Sequence, residues 1–242
     1  MAMVVQRSQK EQKKLAGARQ ALLKVGRGRG FVVEINRERY VITAAHCLPK
    51  FPPCHPNSHT EERTYRRLLG PLEERLTVWA ECRFVDPVSD IAVLCSPDGD
   101  EFFEEAEAWT ALVENATALS IGDLSEQATV WLPYLDGSWE RAKATHWKRS
   151  GWGIYLTEAA RNMENGMSGS PIVTIDGIAV GVFSITTSIT RGEGGPQARL
   201  RAHLPGWLLF DDQRARGARV RRAHEAGREA AGRLARRDGN KQ

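Results

Sequence analysis

Cysteine is scarce in this sequence, with only 4 in 242 residues. So few cysteines exclude the small, disulfide-dense scaffolds of secreted domains. No stretch approaches the roughly 18 consecutive apolar residues that cross a bilayer, so no membrane-spanning helix is predicted. The 22 glycines and 11 prolines are too few for a collagen-like fibre, and a hydrophobic share of 41% excludes a disordered chain. The class that remains is a folded globular protein.

The start of the chain lacks the apolar segment of a signal peptide, because charge begins at Arg7. With no membrane segment either, the sequence predicts a cytoplasmic protein that makes no membrane contact. Disulfides are uncommon in the cytosol. We therefore expect free thiols at all four cysteines, which are Cys47, Cys54, Cys82 and Cys95. A Cys47–Cys54 bridge would require an oxidising compartment.

The net charge of +4 hides a strong segregation of charge along the chain. Residues 1–30 and 213–242 each carry +7, whereas residues 31–212 carry −10. Such basic ends can bind an acidic surface or a phosphate backbone, lie on the acidic body, or stay solvated. Residues 213–242 have no aromatic side chain to stack on bases, and no nucleic-acid-binding motif is visible, which argues against nucleic acid. An acidic partner for the ends stays open.

Short β-rich runs dominate the middle of the chain and are separated by Gly, Pro, Asn and Asp. They lie at residues 30–35, 40–43, 76–80, 91–94, 128–132, 153–156, 171–174 and 179–183. Many short strands without long helices between them predict an all-β barrel or sandwich. Asn36–Arg39 and Asp176–Gly177 are typical of hairpin turns.

The regions outside these runs have other patterns. Apolar residues at three- and four-residue spacing predict one amphipathic helix over residues 5–25, ended by the glycines of residues 26–30. The acidic stretch 98–107 predicts a connector between two halves of the β region. Residues 214–242 have no apolar face and predict a frayed helix or a disordered tail.

Three motifs in the β-rich region contain residues suited to catalysis. In chain order they are TAAHC at Thr43–Cys47, DIAVL at Asp90–Leu94 and GMSGSP at Gly166–Pro171. Acyl transfer by a serine needs a base for its hydroxyl, an acid that orients the base, and N–H donors for the oxyanion. His46, Asp90 and Ser168 supply these three side chains, and the glycine two residues before the serine permits an unusual backbone turn. Asp86 competes with Asp90 for the role of the acid.

These motifs resemble those of the chymotrypsin-like (trypsin-fold) serine peptidases. The order His, Asp, Ser is shared, and the sequence GRGF at Gly28–Phe31 precedes the first strand. The resemblance covers residues 28 to about 186. It implies two antiparallel six-stranded β-barrels with the active site in the cleft between them.

On this resemblance the chain divides into three parts. Residues 1–27 form an N-terminal basic helix, residues 28–210 the peptidase domain, and residues 211–242 a basic tail rich in Arg and Ala. Within the domain, the first barrel covers about residues 28–97 and the second about residues 108–210.

The resemblance also implies a role for each site residue. Ser168 would attack the scissile carbonyl, His46 would act as general base and then general acid, and Asp90 would fix the imidazole tautomer. The backbone N–H groups of Gly166 and Ser168 would form the oxyanion hole. The strand that pairs with the substrate backbone is matched by Ser184, Ile185 and Thr186.

Two departures from the family pattern are informative. Cys47 has no partner, because Phe31–Ile35, the strand that carries the paired cysteine in animal members, contains none. Met167 stands where secreted, activatable members have the Asp that captures a newly cut N-terminus, so activation by that route is not expected. The GMSGSP sequence is closer to the bacterial high-temperature-requirement and glutamyl-endopeptidase groups. We therefore expect a bacterial-type peptidase.

Specificity follows from three positions that the resemblance marks. Asn162, six residues before the nucleophile, offers no charge to pair with a basic side chain. Phe183 occupies the place of the His that glutamyl endopeptidases use. Thr186 narrows a pocket that wide-pocket members line with Gly. We expect a preference for small or medium apolar side chains.

The sequence predicts no metal and no cofactor. Residues 54–59 contain Cys54, His55 and His59, which are metal-ligating types, but no second matched pair stands at zinc spacing. We interpret this segment as a polar surface loop.

Two functions of different classes follow from these patterns. The first is a cytoplasmic, bacterial-type serine endopeptidase that cuts protein or peptide substrates through an acyl-enzyme intermediate. The alternative is a catalytically weak, protease-like scaffold whose basic ends bind an acidic partner or nucleic acid. Covalent reaction at Ser168 distinguishes the two.

Overall fold

Two closed, antiparallel, six-stranded β-barrels make up most of the fold, which confirms the predicted all-β class. The structure is a computed structural model that describes residues 9–53, 59–146, 153–159, 161–184 and 194–209. The chain divides into two compact units, Met1–Leu204, which contains both barrels, and Pro205–Gln242. The predicted basic tail at 211–242 lies outside the described residues.

The first barrel has the strand order β1-β2-β3-β6-β5-β4. Its strands are β1 (Leu22–Val25), β2 (Gly28–Ile35), β3 (Glu38–Thr43), β4 (Thr64–Gly70), β5 (Val78–Asp86) and β6 (Ile91–Cys95). The barrel closes because β1 pairs with β4 as well as with β2. The paired strands bury both of their faces: one face carries Val25, Val32, Val41, Leu69 and Leu94, and the opposite face carries Phe31 and Ile42.

The second barrel has the strand order β10-β11-β12-β9-β8-β7. Its strands are β7 (Gln127–Pro133), β8 (Trp139–His146), β9 (Gly153–Thr157), β10 (Pro171–Val173), β11 (Ala179–Val182) and β12 (Gly194–Arg199). β10 closes the barrel by pairing with β7 at Val173 and Trp131. Its core is one cluster that includes Leu132, Tyr134, Leu156, Met167 and Phe183.

The remaining regular elements are short helices, of which the last belongs to the second unit. They are α1 (Gln9–Arg19), α2 (Thr60–Arg63), α3 (Phe103–Glu114), α4 (Leu200–His203) and α5 (Gly206–Leu209), with single 3₁₀ turns at Ala45–Cys47 and Asp100–Phe102. No helix within the described ranges has the length and apolar character needed to cross a bilayer.

The N-terminal helix is shorter than the sequence predicts. It ends at Arg19, and Leu22–Val25 forms strand β1 instead of the last helical turn. An apolar run this short fits either structure, and pairing decides between them. Leu22 lies opposite Phe31 and Val25 opposite Gly28, which places β1 between β2 and β4. The first barrel therefore begins before the predicted domain boundary at residue 28.

The acidic connector contains a helix that the sequence reading missed. Residues 103–114 form α3, and its Trp109 and Val113, one helical turn apart, are buried. The density of Glu in the first half of the helix hides this narrow apolar face. Arg39 donates to the carbonyl oxygens of Val113 and Ala116 at the end of α3, where a cation also complements the helix dipole. The predicted start of the second barrel, at about residue 108, falls within α3, and β7 begins only at Gln127.

Both predicted hairpin turns are confirmed. Asn36 and Arg37 have φ values of 55° and 71°, as a two-residue turn between β2 and β3 requires. Gly177 has a φ of 77° in the turn between β10 and β11. Strand β4 escaped prediction because the register shifts between Tyr65 and Leu69, where Arg67 has a φ of 51°, and this irregularity breaks the alternation.

A segment after α3 ties the two barrels together. The N–H of Leu119 donates to Val32 in β2, and Gly122 and Ser120 exchange hydrogen bonds with Ala179 in β11. These bonds connect the two barrels through one short segment.

The fold generates a stability prediction. Leu156 is completely buried in the second barrel, whereas Val88 is 96% exposed in the turn before β6. We expect Leu156→Ala to lower the free energy of unfolding by about 2–5 kcal/mol through lost burial and a residual cavity. The control Val88→Ala should change it by less than about 0.5 kcal/mol. Denaturant titration followed by intrinsic fluorescence measures both, and similar losses would contradict the assigned core.

Candidate active site

His46 lies in the 3₁₀ turn that follows β3, where the chain leaves the first barrel. Its Nδ1 is 2.6 Å from Oδ2 of Asp90, and its backbone N–H donates to Oδ1 of Asp90 at 2.9 Å. One carboxylate therefore holds both the ring and the backbone of the histidine. This arrangement fixes the orientation of the imidazole and directs Nε2 away from Asp90.

Asp90 is the acid of the pair, and Asp86 has another task. Asp86 accepts the N–H groups of Val88 and Ser89 at 2.9 and 3.2 Å, so its carboxylate closes the turn between β5 and β6. Asp90 follows that turn with a φ of 54°, a left-handed conformation that is costly for a residue with a side chain. The hydroxyl of Ser184 also donates to Oδ2 of Asp90.

These contacts shift the pKa values of both partners in the directions that stabilise an ion pair. Burial alone raises the pKa of Asp90, but hydrogen bonds from His46 and Ser184 outweigh it and lower that pKa below its ordinary value. The hydrogen bond to Asp90 raises the pKa of His46 above its ordinary value, against the opposing effect of burial. The aspartate is therefore ionised at neutral pH and ready to stabilise an imidazolium.

Ser168 lies in a tight turn before β10, and the glycines on either side of it allow the backbone to adopt this turn. Gly166 and Gly169 have φ values of 95° and 83°, conformations in which side chains are strained. The carbonyl oxygen of Ser168 accepts the N–H of Arg29 at 2.7 Å, and the N–H of Gly169 donates to Phe183 at 2.7 Å. The serine turn is thus held between β2 of the first barrel and the end of β11.

The serine turn also contacts the histidine turn. Sγ of Cys47, the residue after His46, donates to the carbonyl oxygen of Ser168 at 3.7 Å. His46 and Asp90 come from the first barrel, and Ser168 and Ser184 come from the second. Two hydrogen bonds, from Cys47 to Ser168 and from Ser184 to Asp90, join the two sides.

The remaining predicted site residues are distributed differently. Asn162 is exposed in the segment that leads to the serine turn. Ile185 and Thr186 lie outside the described residues, as do Cys54 and His55.

Cys47, Cys82 and Cys95 are free thiols, and burial raises the pKa of each. Within the part of the chain that the structure describes, no group of three or more His, Cys, Asp or Glu could hold a metal ion.

Two arginines that the sequence reading passed over support the serine turn. Arg29 is buried and donates to the carbonyl oxygens of Pro133 and Tyr134 at 3.3 and 3.2 Å. Arg161 lies over the Tyr134 ring, 4.7 Å from its centroid, and accepts the Tyr134 hydroxyl at its carbonyl oxygen at 2.8 Å. No sequence signal marks the second contact, because its partners are 27 residues apart.

Arg161 also joins two carboxylates. Its Nη1 lies 2.7 Å from Oδ2 of Asp136, and its Nη2 lies 3.3 Å from Oε1 of Glu164. Hydrogen bonds from Arg161 and then Ser138 lower the pKa of Asp136 well below its usual range. The turn at residues 134–138 is thereby attached to the segment that carries Gly166.

Two six-stranded barrels with a His–Asp pair and a glycine-flanked serine at their junction define the chymotrypsin-like peptidase fold. The family model described as "Trypsin-like peptidase domain" matches residues 28–182, more than half of the chain. The chain belongs to that family.

A comparison with solved structures gives matches at low sequence identity. A structure from work on the coupled folding and binding of the disordered VPg protein of Sesbania mosaic virus is 15% identical, with a TM-score of 0.51 over 80% of this chain and 92% of that one. The Rv3671c protease in its inactive form is 16% identical, with a TM-score of 0.47 over 78% and 88%. The serine endoprotease of Yersinia pestis is 16% identical, with a TM-score of 0.48 over 81% and 63%. A search of the curated proteins finds no significant match.

The two glycines of the serine turn differ in the space around them, which gives a matched pair of variants. A Cβ on Gly169 would overlap the carbonyl oxygen of Arg29, whereas a Cβ on Gly166 would meet nothing closer than 3.7 Å. Gly166→Ala should therefore cost only left-handed strain, about 1–2 kcal/mol of unfolding free energy. Gly169→Ala should cost about 1–3 kcal/mol more because of overpacking. Thermal unfolding of both variants measures the difference, and equal losses would contradict the close approach of Gly169 to β2.

Proposed function

We propose that this chain is a serine endopeptidase that hydrolyses peptide bonds through Ser168, His46 and Asp90. The observation that carries the proposal is the Asp90 carboxylate, which accepts from both the ring and the backbone of His46 and from Ser184. A histidine held in one tautomer beside a serine is the arrangement that activates the hydroxyl for attack. Membership of a peptidase family implies protein or peptide substrates.

In this mechanism, Nε2 of His46 takes the proton of the Ser168 hydroxyl as Oγ attacks the scissile carbonyl. The imidazolium that forms is stabilised by the ionised Asp90, which stays deprotonated throughout. The N–H groups of Gly166 and Ser168 donate to the oxyanion. His46 then protonates the leaving amine, and a water molecule activated by the same imidazole hydrolyses the acyl-enzyme.

The acyl-side specificity stays a prediction. Ser184 is buried against Asp90, and the segment after it would pair with the substrate backbone. The expected preference for small or medium apolar side chains rests on Asn162, Phe183 and Thr186. Cut-site profiling on a peptide library measures that preference directly.

A fluorophosphonate probe tests the nucleophile. We expect the intact chain to be labelled at Ser168 and Ser168→Ala to be unlabelled, because only an activated serine hydroxyl attacks the probe. Ser170→Ala is a matched control, since Ser170 is a buried serine in the same turn whose hydroxyl has no hydrogen-bond partner among the described residues. It should label like the intact chain. Absence of labelling in the intact chain would favour the protease-like scaffold and overturn the proposal.

The pH profile tests the histidine and its partner. His46 must be neutral to act as a base, so kcat/KM should rise as the pH passes its pKa, which lies above the ordinary value of about 6.5. Asp90→Asn should remove the interaction that raises this pKa, shift the profile to lower pH and reduce kcat by about 10⁴-fold.

Asp86→Asn is the control for this substitution. An asparagine oxygen can still accept the N–H groups of Val88 and Ser89, so the turn should persist. The midpoint of the pH profile should then stay in place. A shift of equal size in both variants would contradict the assignment of Asp90.

A further inference from the structure

A cavity of about 290 Å³ adjoins the serine turn on the side of the first barrel. Four cationic side chains line it, Arg19, Lys24, Arg27 and Arg29, together with Gly166 of the proposed oxyanion hole. Glu73 is the single carboxylate among the lining residues. All four cations belong to residues 1–30, the basic segment of net charge +7, and the fold sets them beside the acidic body of residues 31–212.

The positive charge of the cavity is only partly compensated. Arg29 is only 8% exposed, and its guanidinium donates to the neutral carbonyl oxygens of Pro133 and Tyr134. Burial lowers the pKa of Arg29, and the charge of Arg19 lowers it further. The carboxylates of Glu164 and Asp136 act in the opposite direction, but the pKa of Arg29 stays below its ordinary value.

The other cations are not satisfied by carboxylates at close range. Arg19 lies 4.0 Å from Glu73, with both side chains exposed, a contact of little energetic value. Lys24 donates to the carbonyl oxygen of Glu74 at 3.4 Å. Arg27 is exposed and forms no ion pair with any described residue. Besides Arg29, three cationic side chains therefore line the same cavity, and none has a described carboxylate partner closer than 4.0 Å.

The position of the cavity relative to Ser168 identifies what would enter it. One flank of the serine turn contacts the acyl-side strand, where Gly169 donates to Phe183, the residue before Ser184. The opposite flank contacts β2, where Arg29 donates to the carbonyl oxygen of Ser168. A substrate whose acyl side follows residues 184–186 must extend past Gly28 and Arg29 with its leaving-group side. Both residues line the cavity.

We propose that this cavity binds an acidic side chain on the leaving-group side of the scissile bond. The inference rests on the proposed endopeptidase function and adds a substrate class to it, peptides with Asp or Glu within three residues after the cut bond. Guanidinium groups present donors in a fork that matches a carboxylate. A carboxylate also supplies the negative charge that the lining cations lack.

Matched peptides test the proposal. Two internally quenched peptides share one cut sequence and differ only in the three residues after the cut bond, which are Asp and Glu in one and Asn and Gln in the other. We expect the intact chain to cleave the acidic peptide with a kcat/KM at least about fivefold higher, the scale of one accessible charge pair. The ratio should fall towards one in 1 M salt, where the Debye length is about 3 Å.

Charge reversal localises the effect. Arg27→Glu and Lys24→Glu should each bring the acidic-to-neutral ratio to one or below. Arg141→Glu is the matched control, since Arg141 is an exposed arginine of β8 outside the cavity lining, and it should retain the preference. Melting temperatures of all three variants confirm that folding is intact. Equal loss of preference in Arg27→Glu and Arg141→Glu would attribute it to general surface charge and overturn the assignment to the cavity.

The two proposals fail in different ways. A chain that reacts with a fluorophosphonate and releases a nitroanilide, which has no residue after the cut bond, but cleaves both peptides equally refutes the acidic preference alone. A chain that neither reacts with the probe nor cleaves any substrate refutes the endopeptidase function and this inference with it.

Discussion

The Asp90 carboxylate is the point on which the arrangement of the cleft depends. It accepts three donors, the ring and backbone of His46 from the first barrel and the hydroxyl of Ser184 from the second. Burying the Asp90 carboxylate costs free energy unless its oxygens accept hydrogen bonds. The three donors therefore stabilise the carboxylate, and the carboxylate in turn holds the groups that donate to it. The left-handed backbone of Asp90 adds a local cost that the same contacts offset. One carboxylate thus orients the imidazole and also contributes a contact between the two barrels.

The serine turn is held by the backbone, in contrast to the side-chain contacts of the His–Asp pair. Arg29 and Phe183 bind its two flanks through main-chain hydrogen bonds, and Gly169 lets β2 approach without a clash. Main-chain hydrogen bonds fix the position of the serine turn whatever side chains the bonding residues carry. The neighbouring strands can therefore vary in sequence. Arg29 is the exception, because its buried guanidinium fixes residues 133 and 134 beside the turn while its backbone holds Ser168. One residue of β2 therefore supports the serine turn and contributes charge to the adjacent cavity.

The charge of the cavity comes from the basic segment at residues 1–30. Its four cations lie at the end of α1, in β1, in the turn after it and at the start of β2. The fold places them beside Gly166 and residues 133–139 of the second barrel, which complete the cavity lining. At physiological salt the Debye length is about 8 Å, so charges farther away are largely screened. The cavity cations would therefore act on a bound peptide more strongly than the acidic residues elsewhere on the chain.

The sequence by itself determined the barrel class, the two hairpin turns and the motifs that contain His46, Asp90 and Ser168. These features are local, because alternation, turn chemistry and short motifs span only a few residues. Tertiary structure alone decided that Leu22–Val25 is a strand, that an acidic connector contains α3, and that Asp90 rather than Asp86 meets the histidine. It alone also assembled the cationic cavity, whose contacts join residues about a hundred positions apart, such as Arg29 and Tyr134. Contacts across such distances depend on which surfaces lie against each other once the barrels close. A local sequence pattern contains no information about those surfaces.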